Sequence, residues 1–120
     1  MGTRVLCVDD SATIRRLVAK ALEPEGVEVL QAENGRDALA KPVASCDMLI
    51  VDVNMPEMDG FAFVEAIRAQ PEVAEKPVVF LTTESSEGKK DQGKALNVSG
   101  WVVKPFKPDD LRRLVAALTT

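Results

Sequence analysis

Five polar residues that could do chemistry together each follow an apolar run of the sequence. They are Asp9, Asp10, Asp52, Thr82 and Lys104. Carboxylates drawn to within about 4 Å of one another repel by roughly 4 kcal/mol per pair at an effective dielectric near 20. Lys104 could offset part of that repulsion, and a divalent cation could offset the rest. Oxygen ligands from two or three carboxylates, with room for water and a phosphoryl oxygen, favour Mg²⁺ over Ca²⁺ or zinc.

A magnesium site of this kind predicts phosphoryl transfer. A bare acidic pocket repels phosphate, whereas Mg²⁺ and Lys104 together would hold a phosphoryl group against Asp52 as the attacking carboxylate. Thr82 would hydrogen-bond the transferred group. Each residue taken alone has an ordinary structural explanation, since Asp10 could cap a helix, Thr82 could close a turn and Lys104 could be solvated. The chemical interpretation depends on all of them sharing one edge.

The stretch from residue 47 to residue 60 organises the rest of the chain. Its short apolar run, 48–51, is typical of a strand that is buried on both faces of a parallel sheet. Asp52 stands where the run would continue, at the carboxyl end of the strand, where open α/β sheets bind their ligands. Pro56 and the pair Asp59-Gly60 predict a loop directly afterwards. This strand therefore delivers one carboxylate to a loop-lined edge.

Strand-like runs alternate five times with segments of helical period, which predicts an α/β domain with a parallel sheet. Strands are predicted at 5–8, 27–32, 48–51, 78–81 and 101–103, the second of them at an edge. Helices are predicted to begin near residues 11, 36, 61, 85 and 108. The first helix, capped by Ser11, is expected to bury Leu17 together with Ile14 and Val18. The fourth, predicted over 85–98, contains Gly88 and Gly93, each costing about 1 kcal/mol relative to Ala, so we expect it to be the most mobile.

Length and composition exclude several classes of function. The chain has 120 residues, the size of one ordinary domain. A net charge of -4 and an isoelectric point near 4.9 argue against nucleic-acid binding, which needs clustered cations. No apolar run is long enough to span a bilayer and the N-terminus does not resemble a signal peptide, so we expect a cytoplasmic protein without membrane insertion.

The chain contains no histidine, which removes the usual general base and the usual zinc ligand. If Asp9 is level with Asp52 in adjacent strands, Cys7 is level with Ile50, four residues from Cys46. That separation is roughly 13 Å at about 3.3 Å per residue, beyond the disulfide limit of about 7 Å. We therefore expect both thiols to be reduced, and the chemistry to fall to carboxylates, hydroxyls and lysine.

The whole chain resembles a receiver domain of two-component signalling, most of all the single-domain, CheY-like chemotaxis response regulators. The resemblance rests on Val8-Asp9-Asp10-Ser11, on the loop from Asp52 to Gly60, on Thr82 and on Val102-Val103-Lys104-Pro105-Phe106. It implies a flavodoxin-like (βα)5 three-layer sandwich, with five parallel strands in the order 2-1-3-4-5 and helices on both faces. It also implies that residues 1–120 form one receiver domain without an output domain.

The resemblance further implies that Asp52 accepts a phosphoryl group from a histidine kinase. One Mg²⁺ per chain would be held by Asp9 or Asp10, by Asp52 and by the backbone carbonyl of Asn54. Lys104 and Thr82 would complete the catalytic set. The transfer is self-catalysed, so the protein is not expected to be an enzyme in the ordinary sense.

Two more residues concern the lifetime of the phosphorylated state. Asn54 and Glu84, each two residues beyond a site residue, match positions that flank the path of the hydrolytic water in chemotaxis regulators. This match predicts autodephosphorylation within seconds to minutes. The bond before Pro105 is typically cis in the family.

Signal output is implied at the fourth helix, fifth strand and fifth helix. Trp101 stands at the position of the family's switch aromatic, which turns inward when Thr82 moves toward phosphate. That aromatic is usually Tyr, and Thr83 stands where a small Ala often leaves room, so Trp101 could instead pack on its strand without switching. A partner helix, from a flagellar motor switch or a relay component, would bind the monomer at this surface. The residues of the surface are Lys89, Lys90, Lys94, Trp101, Val103 and Lys107.

Several alternatives stay open on the sequence. Within the family, the chain could be a phosphorelay intermediate, a phosphate sink or a receiver cut from a larger regulator. An aspartyl-phosphate phosphatase or mutase commonly has a second Asp two residues after the nucleophile, where this chain has Asn54. A flavodoxin-like FMN carrier needs a first loop rich in Ser, Thr and Gly, whereas Asp9-Asp10-Ser11 is acidic.

Overall fold

The structure is a computed structural model that describes residues 2–119. Its strands are β1 (Arg4–Val8), β2 (Glu28–Ala32), β3 (Met48–Val51), β4 (Val78–Thr82) and β5 (Gly100–Val103). Its helices are α1 (Ala12–Leu22), α2 (Gly35–Leu39), α3 (Gly60–Arg68), α4 (Glu87–Ala95) and α5 (Pro108–Thr119). The strands form one parallel sheet in the order β2-β1-β3-β4-β5, which confirms the expected topology and places β2 at an edge.

Alternate side chains of the buried strands enter two separate cores, one on each face of the sheet. Leu6, Leu49 and Phe80 pack on one face, mainly with residues of α2 and α3. Cys7 and Ile50 pack on the other, with residues of α1 and α5. Helices therefore cover both faces, which confirms the three-layer architecture.

Local sequence signals set both ends of α1 as predicted. The Ser11 side chain accepts a hydrogen bond from the N–H of Ile14 and begins α1. Pro24 lies in a short 3₁₀ turn that ends α1, and Gly26 follows it in the left-handed region, at φ 71°. Within residues 2–119, no helix combines the length and the apolar character that a membrane crossing requires.

Two details of the helices differ from the prediction. Leu17 is 48% exposed rather than buried, because the buried arc of α1 is narrower than its apolar pattern and centres on Val18, Ala21 and Leu22. The fourth helix ends at Ala95, three residues early, since Asn97 takes a left-handed conformation at φ 58°. The cysteine prediction is confirmed: Cys7 is level with Ile50, and both thiols are free and buried.

Candidate functional site

Strand register brings the predicted site residues to one edge of the sheet. Val8 pairs with Val51, so Asp9 and Asp52 leave neighbouring strands at the same level, and the N–H of Asp52 donates to the carbonyl of Val8 at 2.8 Å. At the next pair of strands, the N–H of Lys104 donates to the carbonyl of Thr82, also at 2.8 Å. The Lys104–Pro105 peptide bond is cis.

One ammonium group lies between two buried carboxylates. Lys104 Nζ is 2.8 Å from Asp9 Oδ2 and 3.2 Å from Asp52 Oδ2. Asp9 is 2% exposed and Asp52 is 6% exposed, whereas Asp10 lies at the surface. Carboxylate oxygens from Asp9, Asp10 and Asp52 lie within 4.8 Å of one another. Four of the five predicted residues therefore form one cluster.

The charges of this cluster are not balanced. Burial raises the pKa of Asp9 above its ordinary value, although the hydrogen bonds from Lys104 and from the Ser11 N–H act against that rise. Burial alone would lower the pKa of Lys104, but the hydrogen bond that Lys104 donates to Asp9 and the charge of Asp52 outweigh burial and raise that pKa. Lys104 is the one cation that ion-pairs with the cluster within residues 2–119. The single ammonium group of Lys104 cannot neutralise the negative charge of three carboxylates.

The donor set fits Mg²⁺. All three side chains offer hard oxygen ligands, and the exposed position of Asp10 leaves open space for water or a phosphoryl oxygen on the solvent side. A divalent cation would also offset the negative charge of the carboxylates that Lys104 does not neutralise. Asp9, Asp10 and Asp52 are the residues that would hold it.

The loop after β3 brings the start of α3 close to the backbone of Asp52. The Asp59 side chain accepts from the N–H of Ala62 and begins α3 directly above the strand end. A Cβ atom on Gly60 would lie only 2.3 Å from the carbonyl oxygen of Asp52. The Gly60 N–H donates to the carbonyl of Val53 at 2.9 Å. The Asp-Gly pair therefore permits a close approach between α3 and the site, beyond the turn that the sequence predicts.

Thr82 lies at the same edge, but its hydroxyl oxygen accepts from the N–H of Glu84 at 3.2 Å and not from a site residue. The carboxylate of Glu84 in turn accepts from the N–H of Ser86, which lowers the pKa of Glu84. On the other side of the site, the N–H of Asn54 donates to Asp52 Oδ1 at 3.3 Å, and the Asn54 side chain is exposed. Neither Asn54 nor Glu84 belongs to the ion-paired cluster.

Trp101 is partly buried and packs against Phe80, Phe61 and α4. Its ring centroid lies 5.4 Å from that of Phe80 and 6.3 Å from that of Phe61, and its Nε1 donates to the carbonyl of Glu84 at 2.9 Å. A Cβ atom on Gly93 would lie 3.2 Å from the indole ring. Gly93 therefore leaves room for the indole ring, a source of space that the sequence alone did not indicate.

Three of the six predicted output residues line one cavity, namely Lys90, Lys94 and Trp101. A cavity of about 230 Å³ is lined by Lys90, Lys94, Trp101 and residues 98–100. Lys89, Lys94, Val103 and Lys107 are exposed, while Lys90 and Trp101 are partly buried. The surface therefore combines cations with an accessible aromatic edge.

Arg15 is a residue near the site that the sequence analysis missed. Its Nη1 donates to the backbone carbonyl of Asp9 at 2.6 Å, and its Nε donates to the Gln31 side chain at 3.2 Å. These bonds tie the end of β1 to α1 and β2. The one available signal was its position a single helical turn after Ser11.

Comparison with known proteins shows the family to which the chain belongs. The model of the response regulator receiver domain matches residues 5–116. The chemotaxis protein CheY1 of Helicobacter pylori is 39% identical over 112 residues, covering 91% of this chain and 90% of that protein. The transcriptional regulatory protein ResD of Bacillus subtilis is 38% identical over 117 residues, covering 97% of this chain but only 48% of ResD.

Solved structures give the same result. The structure of the Vibrio cholerae chemotaxis protein CheY4 matches with a TM-score of 0.92 and 46% identity, covering 98% of this chain and 99% of that one. Receiver domains are signalling proteins that bind Mg²⁺ at an acidic pocket, and this chain has an acidic cluster at the carboxyl ends of β1 and β3. The chain belongs to the response regulator receiver domain family of two-component signalling, with CheY chemotaxis proteins among its relatives.

Proposed function

We propose that this protein is a phosphorylation-dependent switch in which Asp52 accepts a phosphoryl group from a phosphohistidine of a histidine kinase. An oxygen of Asp52 forms the new O–P bond while the P–N bond of the donor breaks. The released electron pair stays on the imidazole nitrogen, which takes a proton from solvent. The observation that carries this proposal is the position of Asp52, buried at a strand end with Lys104 Nζ at 3.2 Å.

The other site residues would prepare this reaction. Lys104 is already held by Asp9, so its ammonium group is oriented toward the oxygens of Asp52. Bound Mg²⁺, held by Asp9, Asp10 and Asp52 and, as we further propose, by the carbonyl of Asn54, would supply Lewis-acid neutralisation of the phosphoryl charge.

We infer that the signal leaves the site through the peptide groups of Glu84. Its N–H is bound to Thr82 and its carbonyl to Trp101. If the Thr82 hydroxyl turns to a phosphoryl group, its hydrogen bond with the N–H of Glu84 must break or rearrange. The position of the Glu84 carbonyl, and with it the hydrogen bond from Trp101, would then change. Phosphorylation would then shift an existing equilibrium between arrangements of this loop and of α4.

We propose that the target protein binds at the rim formed by α4, β5 and α5, around the cavity beside Trp101. The CheY names of the relatives support a role in chemotaxis or motility, with a histidine kinase as the phosphodonor and a motor-switch or relay protein as the target. We also propose that Asn54 and Glu84 set the rate of autodephosphorylation. A phosphoprotein that persists for many hours with Mg²⁺ would contradict that role.

Intact-mass spectrometry after exposure to acetyl phosphate and Mg²⁺ tests the central proposal. The wild type should gain the mass of one phosphoryl group, and Asp52→Asn should gain none. Asp59→Asn is the matched control, because it makes the same chemical change at an exposed carboxylate whose capping role Asn can keep. A phosphoryl adduct on Asp52→Asn, or no adduct on the wild type, would refute the assignment.

A further inference from the structure

Helix α4 lacks the apolar face that holds most helices to a protein. Its sequence from residue 87 to residue 94 contains no large apolar side chain, and the buried residue of the helix is Gly93. By contrast, α3 buries Phe61, Phe63, Val64 and Ile67. Because packing of an amphipathic face normally supplies most of a helix's stability, other contacts must hold α4 in place.

Those contacts lie at its C-terminal end. Arg68, the last residue of α3, donates to the carbonyl of Leu96 at 3.0 Å and to that of Asn97 at 3.2 Å. The same guanidinium donates to the carbonyls of Ala74 at 3.0 Å and Lys76 at 2.8 Å. Arg68 therefore joins the end of α3, the loop before β4 and the end of α4.

Arg68 uses its charge only on backbone carbonyls. It forms no ion pair with any carboxylate of the described chain, and burial lowers its pKa, with Glu75 acting in the opposite direction. Carbonyls at a helix C-terminus carry partial negative charge and lack intrahelical partners, so a cation there stabilises the last turn. Leu96 and Val98 add apolar packing against the core at the same end.

The N-terminal end of α4 is held more weakly. The Ser86 side chain caps the helix through the N–H of Lys89 at 3.3 Å, and Lys89 Nζ lies 5.7 Å from the centre of the Phe61 ring. Residues 85–89 are all exposed. This loose end is the one that adjoins Glu84 and the site.

We propose that Arg68 is a positioning residue that anchors the C-terminal end of α4 as a fixed pivot, so that the helix opens from its N-terminal end. The anchor is a property of the resting protein. Only the trigger, a change at Glu84 after phosphorylation, rests on the proposed function. The partner surface around Trp101 would then change shape on one side of the pivot and keep its form on the other.

Amide hydrogen exchange of the full chain, followed by NMR, tests the anchor. In the wild type, amides 93–98 should exchange more slowly than amides 90–92. Arg68→Met should lower the protection of amides 96–98 by about tenfold for each hydrogen bond lost from a charged donor, and Arg68→Lys should restore part of it. The control is Arg112→Met, since Arg112 is also partly buried and donates to a carbonyl, that of Ala21 at 2.9 Å, although it also pairs with Asp109.

Arg112→Met should lower overall stability without changing the ratio of protection between the two halves of α4. If Arg68→Met lowers protection evenly across the protein, as a merely structural residue would, the anchor is refuted. Addition of Mg²⁺ and beryllofluoride to the wild type should reduce protection at 90–92 and leave 93–98 unchanged. An equal change along the whole of α4 would refute the pivot. Asp52→Asn should show no change on this addition. If the wild type shows no change either, the proposed switching is refuted, while the Arg68 variants still decide the anchor.

Discussion

Replacing Gly60 by alanine places a methyl group in space that the backbone already fills. The new Cβ would lie 2.3 Å from the carbonyl oxygen of Asp52 and 2.9 Å from the Cα of Val53. No side-chain rotation relieves these contacts, because both partners are main-chain atoms. The start of α3 or the end of β3 must therefore move by about 1 Å to reach ordinary van der Waals separation.

The cost follows from that movement. Overpacking typically destabilises by about 1–3 kcal/mol, and displacing the Asp59 cap adds about 1 kcal/mol, so we expect a loss of roughly 3 kcal/mol. For a domain of this size that loss lowers Tm by roughly 10 °C. The same shift disturbs the contact between Asp52 and Lys104, so phosphorylation by acetyl phosphate should slow as well.

Gly88→Ala is the matched control for this substitution. A Cβ atom at Gly88 meets nothing within 4 Å, and alanine is favoured over glycine inside a helix by about 1 kcal/mol. Urea unfolding followed by the emission of the single Trp, in a chain without Tyr, measures both variants. We expect Gly60→Ala to unfold at lower urea and Gly88→Ala at higher urea than the wild type. Equal stability of Gly60→Ala and the wild type would refute the close approach.

Three further predictions follow from the site and its surroundings. Asp10→Asn should weaken Mg²⁺ binding, as measured by calorimetric titration. Because Asp10 is exposed, the same substitution should change stability by no more than about 0.5 kcal/mol. An unchanged affinity for Mg²⁺ would show that Asp10 is not a ligand. Burial raises the pKa of Cys7 to about 12, so its thiol stays protonated in the folded protein while the unfolded thiol ionises above about pH 9. Stability should therefore fall as pH rises from 9 toward 12, by up to about 1.4 kcal/mol per pH unit, and Cys7→Ala should flatten that slope in urea titrations; an identical slope would contradict the assignment. Gly93→Ala should crowd the Trp101 ring and shift its emission, whereas Gly88→Ala should leave the emission unchanged.

The grouping of the site residues was predictable because each of them follows a strand of the same parallel sheet. The carboxyl ends of parallel strands lie at the same edge of a sheet, so a polar side chain that directly follows such a strand lies at that edge. Asp9, Asp52 and Lys104 meet for this reason, and their register follows from the two apolar runs 5–8 and 48–51. The central position of β3 follows from its continuous apolar character in the same way.

The arginine contacts were not predictable from the sequence. Arg15 and Arg68 bind backbone carbonyls, which every residue carries, so no spacing of residue types identifies their partners. Arg68 lies 28 residues from Leu96, and only the folded chain brings the two together. The exposure of Leu17 was missed because an apolar pattern marks a possible face of a helix, while the neighbouring helix and sheet decide how much of that face is covered.

The presence of Trp101, where the family usually has Tyr, is consistent with the proposed switch once its hydrogen bond is considered. A phenol both donates and accepts, whereas an indole N–H only donates. Since the partner of Trp101 is the carbonyl of Glu84, a donor is all that the contact requires. The larger ring needs space, which Gly93 supplies on the side facing α4. Gly93 weakens α4 as a helix, but it also makes room for the contact between Trp101 and α4. On the proposed function, the loop after Thr82 would act on α4 through this contact.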